Sequence, residues 1–176
     1  METRYRELRP HDAGAVRTLL MAELGSTPWQ AAPLDALDEA LRATGDVAPN
    51  EAQGIVAERG EGTAESIVGA ILFGMYAGTQ GSARIRALVV DRAVAREENE
   101  HFVEHQATVA GQLLEHAARA LRAAGARLVI AELPGDATLA AMLDALSHGG
   151  FQREGEIPDF YREGVPMLIL REELDA

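Results

Sequence analysis

The sequence contains no cysteine and no lysine, and it has no long hydrophobic run. The absence of cysteine excludes disulfides, thiolate nucleophiles and cysteine-ligated metals. The longest nearly uninterrupted apolar run, Ile67 to Ala77, is well short of the roughly 18 residues that a membrane span requires. Residues 1–7 lack the apolar segment of a signal peptide. We therefore expect a cytoplasmic protein without a membrane partner.

The chain also lacks a basic surface. Its formal net charge is −12 over 176 residues, and its isoelectric point is near 4.8. Phosphate neutralisation needs clustered basic residues, so the charge argues against a nucleic-acid partner, and none is expected. The acidic balance would suit a cationic amine substrate. With 47% hydrophobic residues, the chain can bury one sizeable core, and we expect a single domain over residues 1–176.

The five histidines do not show the paired spacing that a metal site requires. His101 and His105 are four residues apart, but no acidic partners accompany them on a helix face, and a solvated pair in a polar loop is favoured. No metal site is predicted.

The first third of the chain predicts one strand followed by two helices. Tyr5 to Leu8 forms the strand, and Asp12 is placed to cap the next helix. That helix has one apolar side and ends at Gly25. The second helix begins at Pro33 and ends at Gly45, and a loop follows it.

Three consecutive strands follow, with short turns between them. They cover residues 54–59, 66–76 and 84–90, and the turns are Gly60 to Ala64 and Ala77 to Gly81. Strands joined by such short turns form an antiparallel meander.

The rest of the chain is organised around Arg84 to Leu133. We predict a strand at 84–90, an irregular acidic connection at 91–106, a helix over about 108–124 and a strand at 127–133. A right-handed crossover through this helix makes the two strands parallel and adjacent. The helix N-terminus then lies at the carboxyl edge of the sheet, where free backbone N–H groups can bind a phosphate.

The C-terminal part predicts a helix capped by Asp136 and ended by Gly149-Gly150, and then a hairpin of residues 152–157 and 167–171. The predicted fold class is α/β (α+β). It has a single mixed, mostly antiparallel sheet with a central parallel strand–helix–strand unit and flanking helices.

This order of elements resembles the GNAT family of N-acetyltransferases over nearly the whole chain. Gly69 to Gly81 followed by Ala87 to Asp91 looks like the family's central strand pair, and Leu113-Leu114 looks like part of the helix after its pyrophosphate loop. Gly150-Phe151 matches the "GF" before the last hairpin. Ile157 to Tyr161 is similar to the ending of one subgroup, which reads "IPDFY".

The resemblance implies that the amine of a small molecule or peptide attacks the thioester of acetyl-CoA directly. In the family the pantetheine arm lies in a gap beside the central strand, and the pyrophosphate lies on backbone N–H groups at the start of the next helix. Many members pair as dimers, so the resemblance also allows a homodimer. The matching cofactor-binding positions are Leu88, Val89, Val90, Thr108, Val109, Ala110 and Gly111.

The chemistry requires an amine to lose a proton, and it is helped by an acid for the leaving thiolate. Glu132, at the end of the second central strand, matches a glutamate of the resembling subgroup and is the candidate base; the alternative is a strand-end surface carboxylate. Tyr161 is the candidate acid or acceptor-binding phenol; the alternative is a half-buried packing tyrosine.

The sequence departs from the family at two places. His105 and Thr108 stand where the pyrophosphate loop has Gln or Arg and its first Gly, and only Ala110 fits that pattern. Leu146 stands where many members carry the tyrosine acid. The nearby His148 is expected to be a solvated residue of the last helical turn.

The acidic segment Arg96 to Glu104 is an insertion of unassigned role. We expect its carboxylates, Glu98 among them, to lie in a flexible connection where salt screens them. Two functions from different classes remain open: an acetyl-CoA-dependent N-acetyltransferase, and a catalytically inactive GNAT-like binding or regulatory domain.

Overall fold

The computed structural model describes residues 2–25, 27–43, 52–60 and 66–174. The predicted helix end at Gly45 lies outside these residues, as do most of the predicted loop after it and all but the first residue of the predicted turn Gly60 to Ala64. None of the described helices has both the length and the apolar content that a bilayer crossing needs.

The described residues form seven strands and five α-helices, and every predicted strand and helix has a counterpart among them. In chain order they are β1 (Thr3–Glu7), α1 (Ala13–Leu24), α2 (Ala31–Ala43), β2 (Gln53–Arg59), β3 (Ser66–Met75), β4 (Ser82–Val90), α3 (Arg92–Glu100), α4 (Val109–Ala123), β5 (Leu128–Pro134), α5 (Ala140–His148), β6 (Gln152–Arg162) and β7 (Val165–Glu173).

All seven strands belong to one sheet, in the order β1-β2-β3-β4-β5-β7-β6. Every neighbouring pair is antiparallel except β4 and β5, which are parallel and adjacent. This confirms both the meander and the strand–helix–strand unit predicted from the sequence. The mixed, mostly antiparallel sheet of the predicted fold class is therefore present.

Helices cover both faces of the sheet and create two apolar cores. On one face α1 and α2 bury Val16, Leu20 and Leu37 against β2, β3 and β4. On the other face α4 buries Leu113 and Leu121, and α5 adds Leu146 to the same core. Strands that are covered on both faces read as nearly continuous apolar runs, which is the pattern of β3.

Helix α4 lies directly on β3 because the strand has a glycine at the contact. A Cβ atom at Gly69 would lie 2.8 Å from Val109 Cγ1 and 3.0 Å from Leu113 Cδ1. The helix ends before Gly125, whose φ of +85° suits glycine. The predicted apolar face and the predicted stop of this helix are both confirmed.

The predicted irregular connection at 91–106 is wrong, because residues 92–100 form helix α3. Asp91 caps this helix: its side chain accepts hydrogen bonds from the N–H groups of Ala93 at 2.8 Å and Val94 at 3.4 Å. The helix buries only Val94 and Glu98 among otherwise exposed or half-exposed residues. A helix with so little apolar surface has no 3.6-residue hydrophobic period to detect.

The predicted capping role of Asp12 is also wrong. Its carboxylate makes no cap hydrogen bond to α1; it accepts two from Arg6, at 2.7 and 2.8 Å, and one from the Arg9 N–H. Burial alone would raise the pKa of Asp12, but these hydrogen bonds outweigh burial and lower it. Arg6 also pairs with Glu58, so one guanidinium holds two buried carboxylates.

Candidate active site

Strand β4 carries one extra residue relative to its neighbour β3. Phe73 pairs with Ile85 and Leu72 pairs with Ala87, so Arg86 is left between two paired positions. This is a β-bulge, which bends a strand and changes which side chains face each side. Ile85 accordingly packs in the core under α4, and Ala87 packs in the core under α1 and α2.

The parallel strands β4 and β5 are paired over only part of their length. Pairing runs from Ser82 with Leu128 to Ile85 with Ala131. Beyond that point β4 continues to Val90 along β3, whereas β5 continues along β7. The strands therefore diverge at the bulge and leave a cleft between their carboxyl ends.

Two adjoining cavities occupy this cleft, a smaller one of about 240 Å³ and a larger one of about 450 Å³. Both have mainly apolar walls. The predicted cofactor positions on β4 lie here, since Leu88 and Val89 line both cavities and Val90 lines the larger one. The residues common to the two cavities are Leu24, Leu88, Val89, Leu139 and Met142.

The two predicted catalytic residues are brought together, because Glu132 and Tyr161 both line the smaller cavity. Glu132 is exposed on the sheet face that α1 and α2 cover, since its neighbours Ala131 and Leu133 pack into the opposite core. Tyr161 is 38% exposed. Burial raises the pKa of Tyr161, and the negative charge of Glu132 raises it further. The phenol therefore keeps its proton at neutral pH and can donate it.

The only tryptophan of the sequence forms a wall of the smaller cavity beside Tyr161. The two rings meet edge to face, with their centroids 5.2 Å apart. On its other side Trp29 contacts the guanidinium of Arg162, 5.7 Å from the ring centroid. Arg162 in turn donates to Asp136 at 3.3 Å, which ties the β6–β7 hairpin to the start of the α5 segment.

Arg86 is a site residue that the sequence reasoning missed. Arg86 lines the smaller cavity, and its guanidinium donates a hydrogen bond to Glu39 of α2. This hydrogen bond is the main reason why the pKa of Glu39 is lowered. Nothing in the local sequence indicates that Arg86 lines the cavity, because its place there depends on the bulge in β4. Trp29 was missed too, although a lone tryptophan in a polar connection is itself a signal.

The first turn of α4, where the sequence predicted pyrophosphate binding, is already occupied by side chains of the chain. The N–H of Val109 donates to Glu98 Oε1 at 2.9 Å. The N–H of Gly111 donates to Thr108 Oγ1 at 3.1 Å. The expectation that Glu98 is solvated in a flexible connection is wrong, since the residue is only 8% exposed.

The chain segment before α4 is packed closely onto the helix. A Cβ atom at Gly111 would lie 2.1 Å from the carbonyl oxygen of His105, so only glycine fits that position. Thr108 Oγ1 also donates to the same carbonyl at 2.7 Å. Of the predicted pyrophosphate-binding residues, Ala110 is the one that lines the larger cavity.

The remaining sequence predictions concern three histidines and one leucine near this segment. His101 is exposed, as predicted, but His105 is only half-exposed; its ring lies 5.1 Å from that of His148, and its buried Nε2 has no hydrogen-bond partner within the described chain. His148 is exposed, as expected. Leu146 is fully buried in the core and offers no acid at the cleft.

No protein-family model matches the sequence, and no curated protein matches it significantly. Its backbone, however, is similar to solved structures over nearly its full length. A protein of Desulfovibrio desulfuricans assigned as an acetyltransferase of the GNAT family is 22% identical, with a TM-score of 0.76; the match covers 99% of this chain and 100% of that one.

Two further structures show the same likeness. A protein assigned as a phosphinothricin N-acetyltransferase is 20% identical, with a TM-score of 0.67 and coverage of 99% of this chain and 100% of that one. An assigned acetyltransferase from Salmonella typhimurium, solved with its cofactor acetyl-CoA, is 14% identical, with a TM-score of 0.66 and coverage of 100% and 96%. The chain therefore has the GNAT fold.

The cleft fits some parts of acetyl-CoA better than others. Its apolar walls between β4 and β5 suit a thioester and a pantetheine arm, and Leu88, Val89 and Val90 would line that arm. The start of α4 does not fit a diphosphate, because the Glu98 carboxylate already holds the Val109 N–H.

Proposed function

We propose that the protein is an N-acetyltransferase that transfers the acetyl group of acetyl-CoA to the amine of a small molecule or peptide. The observation that carries this proposal is the smaller cavity. It opens beside the diverging strands, and Glu132 and Tyr161 face it together. In the GNAT fold, the gap between these strands is the place where a thioester would lie.

Glu132 acts as the general base, through a water molecule. An amine with an unperturbed pKa of about 10.4 is mostly protonated at neutral pH and must lose a proton before or during attack. An exposed carboxylate at the rim of the cavity can accept that proton and pass it to solvent. The negative charge of Glu132 also attracts a cationic acceptor.

Tyr161 acts as a proton donor or as a hydrogen-bonding partner of the acceptor. Its raised pKa keeps it protonated, and its ring is held against Trp29. The thioester oxygen needs a donor as well. Beyond Ile85 the backbone of β4 is no longer paired with β5, which supports a role for its N–H groups there.

The alternative is a GNAT-like domain that binds a ligand without catalysis. It is favoured by the buried Leu146 at the position of the usual acid and by Glu98 at the start of α4. A titration of the protein with acetyl-CoA by calorimetry, together with an assay of thiol release over a panel of amines, separates the two. Turnover supports the transferase, whereas ligand binding without turnover supports the alternative.

We also propose that the protein forms a homodimer. Strand β6 is an edge strand of the sheet, and it exposes Ile157 and Phe160, which are 42% and 54% accessible. Exposed apolar residues on a sheet edge are suited to pairing with a second copy. Sedimentation equilibrium would give twice the mass of 18.8 kDa for a dimer and that mass itself for a monomer.

A further inference from the structure

Helix α3 places a carboxylate against the backbone at the start of α4. Glu98 Oε1 accepts the Val109 N–H at 2.9 Å and a hydrogen bond from Arg59 Nη2 at 3.2 Å. Its side chain is 9% exposed. Thr108 supplies the cap for the same helix turn. Two of the first backbone N–H groups of α4 are therefore satisfied from within the chain.

Such a carboxylate is an anion at the positive end of a helix. Free N–H groups and the helix dipole at this point would otherwise receive an external anion such as a phosphate. Burial, and to a lesser degree the charge of Glu97, raise the pKa of Glu98 above its ordinary value, although the Val109 N–H and Arg59 act in the opposite direction. In the geometry of the site, a backbone N–H and a guanidinium nitrogen nonetheless converge on Glu98 Oε1, which occupies the position that an external anion would take.

We propose that Glu98 takes the place of the donor's diphosphate at the start of α4, so that this chain selects its thioester through the pantetheine arm and not through the diphosphate. The inference rests on the proposed transferase function. A diphosphate cannot share the Val109 N–H with a carboxylate, and the like charges would repel each other across a poorly solvated contact. The apolar cleft between β4 and β5 remains available for the arm.

The contacts of Glu98 with Val109 and Arg59 predict how a substitution of Glu98 should change anion binding. Removing the Glu98 side chain frees the Val109 N–H, and it frees one guanidinium nitrogen of Arg59, which keeps its contacts with Glu97 and Thr3. An N–H group and a cation would then face one position, which is the arrangement that binds phosphates. The change should therefore create diphosphate recognition rather than merely disturb the fold.

The first experiment compares two donors, acetyl-CoA and S-acetylpantetheine, which lacks every phosphate. The wild type should use both with kcat/KM values within about fivefold of each other. Glu98→Ala should raise kcat/KM for acetyl-CoA by about tenfold, the effect of one regained charge-assisted hydrogen bond. It should change kcat/KM for S-acetylpantetheine much less, since that donor meets Glu98 only at the wall of the larger cavity. Glu97→Ala, which removes an exposed carboxylate that also pairs with Arg59, is the matched control and should change neither.

A wild type that prefers acetyl-CoA by more than about a hundredfold, with the preference lost in Glu98→Ala, would overturn the inference and leave the transferase function intact. If Glu98→Ala does not fold, as judged by its thermal transition, Glu98→Gln replaces it. That variant removes the charge and keeps the volume, and it should show the same direction with a smaller gain.

The second experiment needs no thioester and no acceptor. Inorganic pyrophosphate is titrated into each protein by calorimetry. Glu98→Ala should bind it at least about tenfold more tightly than the wild type and Glu97→Ala do. Equal binding by all three proteins overturns the inference. Stronger binding by Glu98→Ala in the absence of any turnover supports the role of Glu98 while the proposed transferase function fails.

Discussion

The carboxylate of Glu98 accepts a hydrogen bond at 2.9 Å from the backbone N–H of Val109, eleven residues further along the chain. This contact joins α3 to α4 at the point where a GNAT fold would receive a phosphate. It gives the acidic segment between β4 and α4 a structural role. It also predicts how stability and ligand binding should respond to charge at this position.

The raised pKa of Glu98 predicts a pH-dependent stability difference. A carboxyl group whose folded pKa lies above its ordinary value of 4.5 binds more protons in the folded than in the unfolded state within that interval. The wild type should therefore lose stability relative to Glu98→Gln as the pH rises from 4.5 through the raised pKa. Arg59, Glu97 and Tyr5 face the same carboxyl group, and both proteins keep all three. The free energy of unfolding of the two proteins is compared by urea unfolding at several pH values. A constant difference would contradict the burial of a charged Glu98.

Arg6 should be one of the most important charged residues for stability. Arg6→Met leaves Asp12 and Glu58 buried with their main cation removed, which should cost about 3 kcal/mol. Arg4→Met removes a guanidinium that is 63% exposed and bonds to the same Glu58, and it should cost less than about 1 kcal/mol. If urea unfolding gave the same loss of unfolding free energy for both variants, burial would not be what makes Arg6 more important than Arg4.

The same pair of carboxylates should contribute to the acid sensitivity of the fold. The pKa values of Asp12 and Glu58 are lowered from 3.8 and 4.5, so their contribution is fully present above about pH 4.5. It should be lost as the pH falls through the lowered values. In Arg6→Met the loss of stability between pH 5 and pH 2, measured by thermal unfolding, should be smaller than in the wild type.

Ala110→Glu should weaken the binding of acetyl-CoA by about tenfold or more. Ala110 lines the larger cavity in the first turn of α4, so a longer, charged side chain would enter the space that the donor needs. Arg119→Gln, on an exposed position of the same helix, makes the same change in net charge away from the cavity and serves as the control. Equal affinities of Ala110→Glu and the wild type in a calorimetric titration would place the donor elsewhere.

Tyr161→Phe tests the phenol separately from its ring. The substitution keeps the edge contact with Trp29 and removes only the hydroxyl, so acetyl transfer should fall by about 10²-fold with little change in the thermal midpoint. Phe102→Leu changes an aromatic residue that is 92% exposed and lies outside both cavities, and it should leave the rate unaltered. An unchanged rate in Tyr161→Phe would make the tyrosine a packing residue.

The sequence was sufficient to predict the sheet and the strand–helix–strand unit, for physical reasons. Helix α4 has a wide apolar face and a glycine stop, and β3 and β5 are apolar runs of strand length. Parallel pairing of β4 and β5 then follows from the handedness of the crossover. Glu132 and Tyr161 were predicted from the resemblance, and the structure places them beside one cavity.

The missed features depend on contacts between distant parts of the chain. Helix α3 has almost no apolar face, and its one buried charge is balanced by Arg59 on β2 and by the backbone of Val109. Asp12 was predicted as a cap because its sequence neighbours suggest one, yet Arg6 on β1 competes for the carboxylate more strongly. The bulge at Arg86 is set by the register against β3, which no local pattern encodes.

The most direct test of the account is the rate of acetyl transfer by Glu132→Gln, measured as thiol release from acetyl-CoA with a panel of amines. The substitution keeps the volume and removes proton acceptance, so the rate should fall by about 10²–10⁴-fold while donor affinity stays the same. Glu163→Gln, an exposed position in the neighbouring hairpin turn, should match the wild type. A Glu132→Gln protein with the turnover of the wild type would contradict the proposed mechanism.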